Sequence, residues 1–216
     1  FLAGSRVPDN AVLVTFDDGY ESFYQYAYPV LRQLRIPAVN FVITHTLDDP
    51  GADAIPYLSR EQIREMTQQS EGIDVQCHTH ALHAKTESGQ ALLTTPLATD
   101  GGKESPAEYE RRIASDMSAC LRSLQELSPR AVDALAYPFG IFNDAAKNIV
   151  RRSGIKYAFT ITPGMTTPDT DPLQIPRINA GSPWISPEAL HRSIIRQVVA
   201  FGRHTEQVRP SDAPDR

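Results

Sequence analysis

Three of the chain's six histidines fall within six residues, in His78-Thr-His-Ala-Leu-His83, and a pair of adjacent carboxylates, Asp17-Asp18-Gly19, lies upstream of them. Neighbouring carboxylates repel one another unless something positive sits beside them, and a divalent cation is the natural partner, one Asp ligating it while the other stays free as a base. Neutral imidazole is the commonest side-chain ligand of such a cation. Two histidines and one aspartate leave coordination positions open for water and substrate, which is the pattern of a catalytic metal rather than a structural one. Side chains alternate along a strand, so His78 and His80 can point together, whereas a turn after His78 brings His83 round instead. The plain alternatives are a solvated Asp-Asp-Gly turn and a surface histidine cluster without a role.

The elements around these residues alternate between strand and helix. Ala11–Phe16 and Ala38–Thr44 are short apolar, β-branched runs. Pro29–Leu34 between them suits a helix with proline in its first turn. Ser59 and Gln62 form a capping-box pattern ahead of a helix over Arg60–Met66, and Ile73–Cys77 follows as a strand. Residues 84–105 are polar, rich in Gly, Thr and Ser, and read as a long functional excursion. From Pro106 to about Leu127, Tyr109, Ile113, Met117, Cys120, Leu121, Leu124 and Leu127 recur at helical spacing as a core stripe. Then come a strand over Val132–Tyr137, a helix over Asn143–Ser153, a strand over Tyr157–Thr162, a short strand at Gln174–Ile178 and a helix over Pro187–Val199. Residues 204–216 read as a polar tail.

Such alternation implies one domain with a mainly parallel sheet, barrel or doubly wound, whose active site gathers at the carboxyl ends of the strands. Asp17-Asp18-Gly19, the histidine cluster and Pro138-Phe-Gly140 all sit at predicted strand ends. That convergence is the argument for a site.

Composition narrows the function classes. With 21 basic and 26 acidic residues and a net charge of −5, nothing supports nucleic-acid binding. No apolar run approaches the roughly 18 residues of a membrane span. Gly-rich phosphate or dinucleotide loops, a Gly-x-Ser-x-Gly elbow, His-Glu-x-x-His and Cys-x-x-Cys are missing. Cys77 and Cys120 can pair, but Cys120 on an apolar helical stripe is expected as a buried free thiol.

Val14-Thr-Phe-Asp-Asp-Gly-Tyr20, His78-Thr-x-x-x-His83 and Tyr137-Pro-Phe-Gly140, in that order, resemble the three motifs of the polysaccharide deacetylases, the NodB-homology group or carbohydrate esterase family 4. The five-residue histidine step resembles the poly-N-acetylglucosamine branch. The likeness runs from about Pro8 to Ile194. It implies a distorted (β/α) barrel of about seven parallel strands, with residues 1–203 as the catalytic domain, and a metal-dependent removal of N-acetyl groups. By motif position Asp18, His78 and His83 would hold the metal, zinc first with cobalt or nickel able to serve. Asp17 would be the general base, and the main-chain N–H of Phe139 would face the oxyanion. A metal with open positions lowers the pKa of a bound water from 15.7 towards ~7.

The late Leu-x-His motif that supplies a general acid in many relatives does not map onto Leu190-His191 or His204, so the general acid is unassigned. Tyr20, Arg177 and Trp184 are candidates to line a sugar groove. For Arg177 a structural ion pair, and for Trp184 a core anchor, are the alternatives; His45 and His80 are expected as packing or surface residues. Phe1-Leu-Ala-Gly4 resembles the end of a helix that longer relatives carry, so the natural protein is expected to begin before residue 1. The expected partner is an N-acetylglucosamine polysaccharide met outside the cytoplasm by a monomer. Peptidoglycan and chitin oligomers are alternative substrates, and a non-catalytic carbohydrate-binding domain of the same fold is the rival class. A metallo-β-lactamase pattern, His-x-His-x-Asp-His, is broken by Leu82 and leaves Asp17-Asp18 without a purpose.

Overall fold

The structure is a computed structural model describing residues 11–48, 54–70 and 72–208, with residues 201–208 described as backbone alone. Five parallel strands form its main sheet: β1 (Val14–Phe16), β2 (Ala38–Val42), β3 (Ile73–Cys77), β6 (Ala134–Ala136) and β7 (Tyr157–Phe159). They are ordered β1-β2-β3-β6-β7 and curl into a half-barrel. The register is in step, with Val14 beside Ala38 and Ala38 beside Ile73, so the carboxyl ends of β1, β2 and β3 emerge together. Beyond β7 the expected strand at Gln174–Ile178 appears as a single parallel bridge, Phe159 to Ile175. Among the described residues the sheet therefore has five strands rather than seven. The two remaining strands, β4 (Ala98–Thr99) and β5 (Gly102–Lys103), make an antiparallel ribbon inside the 84–105 excursion.

Period-two alternation sorts the side chains. Ala38, Val42, Ile73, Val75, Cys77, Leu135 and Ala158 face the helices, while Phe41, Ala134 and Ala136 form a separate inner cluster with Val39, Tyr157 and Phe159. The helices are α1 (Tyr28–Leu34), α2 (Arg60–Gln69), α3 (Pro106–Gln125) and α4 (Asp144–Arg152). Their apolar stripes, among them Ile63, Met66, Ile113, Met117, Leu124 and Val150, are buried against the outer face of the sheet. Ser59 and Ser105 each complete a capping box, with Gln62 and Glu108, which fixes where α2 and α3 begin.

Cys77 and Cys120 form a disulfide, Cα to Cα 6.0 Å, so the expectation of a free thiol is corrected. Cys77 ends β3 on the helix-facing side and Cys120 lies on the stripe of α3 packed against it; the two buried sulfurs meet across that contact. A last helix, α5 (Pro187–Val208), runs beyond the expected Val199, so residues 204–208 of the predicted tail are helical. Residues 209–216, and the Phe1–Gly4 phrase, lie outside the described residues.

Candidate metal centre

Three loops at the carboxyl end of the sheet build the site. The first leaves β1 with Asp18 at φ 73° and Gly19 at φ 78°. A side chain at Gly19 would press on Val42, with a Cβ only 2.9 Å from its Cγ1, so glycine is required where the loop crosses β2. The carbonyls of Asp18 and Gly19 accept hydrogen bonds from the N–H groups of Ile43 and Leu58. The Asp18 carboxylate is thereby aimed at the end of β3.

There it meets two imidazoles. Asp18 Oδ1 lies 3.3 Å from His78 Nε2 and 3.5 Å from His83 Nε2. The ligating atoms of the three residues all lie within 4.8 Å of one another. His78 Nδ1 is 2.8 Å from the Ala136 carbonyl, a contact that suits a donated Nδ1–H and leaves the Nε2 lone pair towards Asp18. Burial alone would raise the Asp18 pKa, but where the two rings carry protons the hydrogen bond from His78 and the charges of both histidines outweigh it and hold the carboxyl below its ordinary value. Burial, with His78 as a close neighbour, pushes His83 down and favours neutral imidazole. A carboxylate and two imidazoles, with the Nε2 atoms of both rings converging on one oxygen, fit a divalent metal ion.

Of the two histidine pairings open to the sequence, the structure brings His78 together with His83. His80 turns away, its Nδ1 3.0 Å from Thr44 Oγ1 and its carbonyl 2.6 Å from His45 Nδ1. The departure occurs at Thr79, a buried β-branched residue held at φ 73°.

Asp17 is next to Asp18 but has a different neighbour. Arg177 grips both of its oxygens, Nη1 to Oδ1 at 2.7 Å and Nη2 to Oδ2 at 2.7 Å. The same guanidinium donates to the Thr160 carbonyl at 2.8 Å and to Thr15 Oγ1 at 3.3 Å. Arg177 therefore holds the candidate base, the ion-pair alternative open in the sequence, and its donors are largely committed within the protein.

The third loop follows β6. Phe139 sits at φ 58° and Gly140 at φ 68°; any side chain at Gly140 would overlap Ile161. The Phe139 ring lies 4.4 Å from the His83 ring, centre to centre, and Lys85 Nζ lies over it at 4.7 Å from its centre. Tyr20 stacks on Tyr57 at 5.0 Å, at the mouth of the first loop. Trp184 is 90% exposed, which removes the core-anchor alternative. His191 is exposed on α5.

One organising residue escaped the sequence reading. Asp116 lies on the buried stripe of α3 and accepts the N–H groups of His80 and Ala81. A lone carboxylate between Ile113 and Met117 on an apolar stripe was the available signal.

The family profile described as Polysaccharide deacetylase matches residues 4–158. A poly-beta-1,6-N-acetyl-D-glucosamine N-deacetylase of Staphylococcus epidermidis is 33% identical over 175 residues, covering 80% of this chain and 55% of the relative. The protein of the same name from Staphylococcus aureus strain MSSA476 is 28% identical over 174 residues, with the same coverage. The chain thus spans about half the length of the curated relatives it matches. Among solved structures, IcaB from Ammonifex degensii superposes with a TM-score of 0.73 at 28% identity, over 94% of this chain and 78% of that one. The BpsB deacetylase domain from Bordetella bronchiseptica gives 0.73 at 27% identity, over 82% and 74%.

Proposed function

Because this chain belongs to the polysaccharide deacetylase family, we propose that it hydrolyses N-acetyl groups from a polymer of N-acetylglucosamine, most closely poly-β-1,6-N-acetyl-D-glucosamine. The observation that carries this reading is the convergence of Asp18, His78 and His83 within 4.8 Å beside an Asp17 clamped by Arg177. The polymer follows from the names of the relatives and from the five-residue histidine step.

Asp18, His78 and His83 would hold one zinc ion, with cobalt or nickel able to replace it. When bound, such a metal supplies Lewis acidity and an acidified water. The rest is the work of this chain's residues. Each Asp17 oxygen keeps a lone pair besides the one given to Arg177, so Asp17 accepts the proton of the water as that water attacks the acetamide carbonyl. Arg177 fixes the direction of that lone pair. The main-chain N–H of Phe139 donates to the oxygen that becomes negative, and losing one such donor typically costs about 10²–10³ in rate. Because the donor is backbone, the phenylalanine ring is free to pack on His83. Tyr20 and exposed Trp184 offer flat faces for sugar rings.

The products are acetate and an amine that is a cation at neutral pH. Such polymers lie outside the cytoplasm, and the Cys77–Cys120 disulfide suits an oxidising compartment, which supports an envelope or extracellular site of action. Among the described residues no helix is long and apolar enough to cross a membrane. The chain is proposed to act as a monomer.

Elemental analysis with acetate release from N-acetylglucosamine oligomers tests the reading. About one zinc, cobalt or nickel per chain is expected, lost in Asp18→Ala together with acetate release. Asp17→Asn is expected to keep the metal and lose roughly 10²–10⁴ in kcat, the span of general-base catalysis. A wild-type chain that stays metal-free and inactive after zinc and cobalt are added back would overturn the proposal.

A further inference from the structure

We propose that Asp116, a carboxylate of α3 remote from the reaction in sequence and role, is the positioning residue that gives the His78–His83 loop its metal-holding shape. The inference rests on the metal-site reading above and extends it to a residue outside the three motifs.

The loop leaves β3 by way of Thr79 at φ 73°, a conformation β-branched side chains disfavour. From that point the chain departs from the sheet, and the amides of His80 and Ala81 lose any ladder partner. Asp116 accepts both: Oδ1 takes the His80 N–H at 2.8 Å and Oδ2 the Ala81 N–H at 2.7 Å. These two amides lie midway between the ligands His78 and His83. A carboxylate only 8% exposed on an otherwise apolar stripe is costly unless its oxygens are satisfied, and here each oxygen is satisfied by the same six-residue loop.

Other ties hold the loop's first half. Thr44 N–H donates to the Thr79 carbonyl at 3.2 Å, His45 N–H to the His80 carbonyl at 3.1 Å, and His78 is anchored through Ala136. The second half, which must swing His83 back over Asp18, hangs on Asp116, on the burial of Leu82, on the Phe139 ring and, just past His83, on the hydrogen bond from Leu92 N–H to the Ala84 carbonyl at 3.0 Å. Asp116 is therefore the side-chain polar tie between the two histidines, and its loss lets His83 drift. Partners that orient metal ligands at one remove typically change metal affinity by roughly 10–100-fold.

Asp116→Asn is the sharpest variant. It keeps the shape but turns one acceptor into an N–H₂ group facing an amide N–H, so one half of the tie becomes donor against donor. Cobalt(II) added to the metal-free full chain, titrated against a chelator, gives the affinity; its visible absorption reports the ligand geometry. Asp116→Asn is expected to bind cobalt about 10–100-fold more weakly than wild type, with a changed absorption band and faster hydrogen exchange at the His80 and Ala81 amides. Leu124→Ala, on the same helix stripe, is the control for lost stability: it should lower the melting temperature yet keep wild-type cobalt affinity and spectrum.

Asp116→Glu covers the case in which the amide variant fails to fold. It keeps the charge but moves both oxygens by a methylene, and a several-fold loss of cobalt affinity is expected. Wild-type affinity and spectrum in the folded Asp116 variants would overturn this inference alone, and so would an equal affinity loss in Leu124→Ala. A wild-type chain that binds neither cobalt nor zinc would overturn it together with the metal-site reading.

Discussion

The carboxyl ends of β1, β3 and β6 and the helix α5 are opposite ways of using sequence. At the strand ends the chemistry-bearing groups draw partners from other elements, Asp17 from Arg177, His78 from Ala136, His80 and Ala81 from Asp116, while Thr79 Oγ1 is buried without one. Residues there adopt left-handed backbone at Asp18, Thr79 and Phe139, conformations that persist where the surroundings over-determine them. Helix α5 has the reverse character. Its amphipathic pattern is plain, yet Ile195, Val198 and Val199 are exposed, and no residue of its described side chains is buried. The strand ends spend stability on geometry; α5 contributes little stability to the described fold. Perturbations of equal chemical size should therefore have unequal consequences in the two regions.

The largest effect on stability is expected from the disulfide. Cys77 adjoins His78, a proposed metal ligand, and the bond to Cys120 closes a separation of 43 residues. In the chain-entropy view a loop of that length is worth about 4 kcal/mol, and native disulfides typically deliver about 2–5. Cys77→Ala with Cys120→Ala should lower the denaturation midpoint accordingly, as followed by urea unfolding. A loss below about 1 kcal/mol would show that packing of β3 against α3, not the cross-link, holds the strand end.

Next in size is the clamp on the base. Arg177→Met keeps bulk but releases Asp17, so kcat should fall about 10–100-fold with metal content unchanged, an activation cost of roughly 1.4–2.7 kcal/mol. Arg177→Lys cannot reproduce the two-pronged grip and should recover only part of the loss. A fall in metal content as deep as that of Asp18→Ala would mean that the two carboxylates do not hold separate jobs.

The pH response of the excursion separates a third contribution. Arg112 binds both Glu104 oxygens, at 2.7 and 2.8 Å, and also the carbonyls of Leu92 and Thr95. The hydrogen bonds from Arg112 hold the Glu104 carboxyl below its ordinary range. A depressed folded-state pKa gives stability that is present above the unfolded value, near 4.3, and is lost as pH falls through the lower folded value. Thermal melts of wild type should therefore drop below about pH 4.3 by more than those of Arg112→Met, whose Glu104 keeps only the hydrogen bond from Leu97 N–H to lower its pKa. Equal acid slopes in both would remove Glu104–Arg112 as an anchor of the excursion.

How far the fold was legible depended on what each element needed. Strand β3 and the Ser59 capping box were readable to the residue, because the alternation in Ile-Asp-Val-Gln-Cys and a Ser-x-x-Gln spacing are local signals. The cluster of Asp18, His78 and His83 was legible because its three residues sit in two short motifs. Arg177 lies 160 residues from Asp17, and nothing in the spacing of either announces the other. Cys120 presents the same apolar helical position whether it is a thiol or half of a disulfide. Asp116 serves backbone amides, and donors of the main chain leave no pattern among side chains. Among the described residues five strands stand in the main sheet where about seven were expected, because Gln174–Ile178 reaches the sheet through one bridge rather than a ladder.

The smallest effect belongs to α5, and its smallness is the point. Ile195 and Val199 are each 47% exposed, so replacing them with serine withdraws little apolar surface from burial. Serine also costs only tenths of a kcal/mol in helix propensity. The double variant should unfold within about 0.5 kcal/mol of wild type, the ordinary range for surface substitutions, and should release acetate at the wild-type rate. A destabilisation of 2 kcal/mol or more would mean that this face is covered in solution. The contrast between an over-determined site and an idle helix would then give way to a molecule in which α5 is also a packed element.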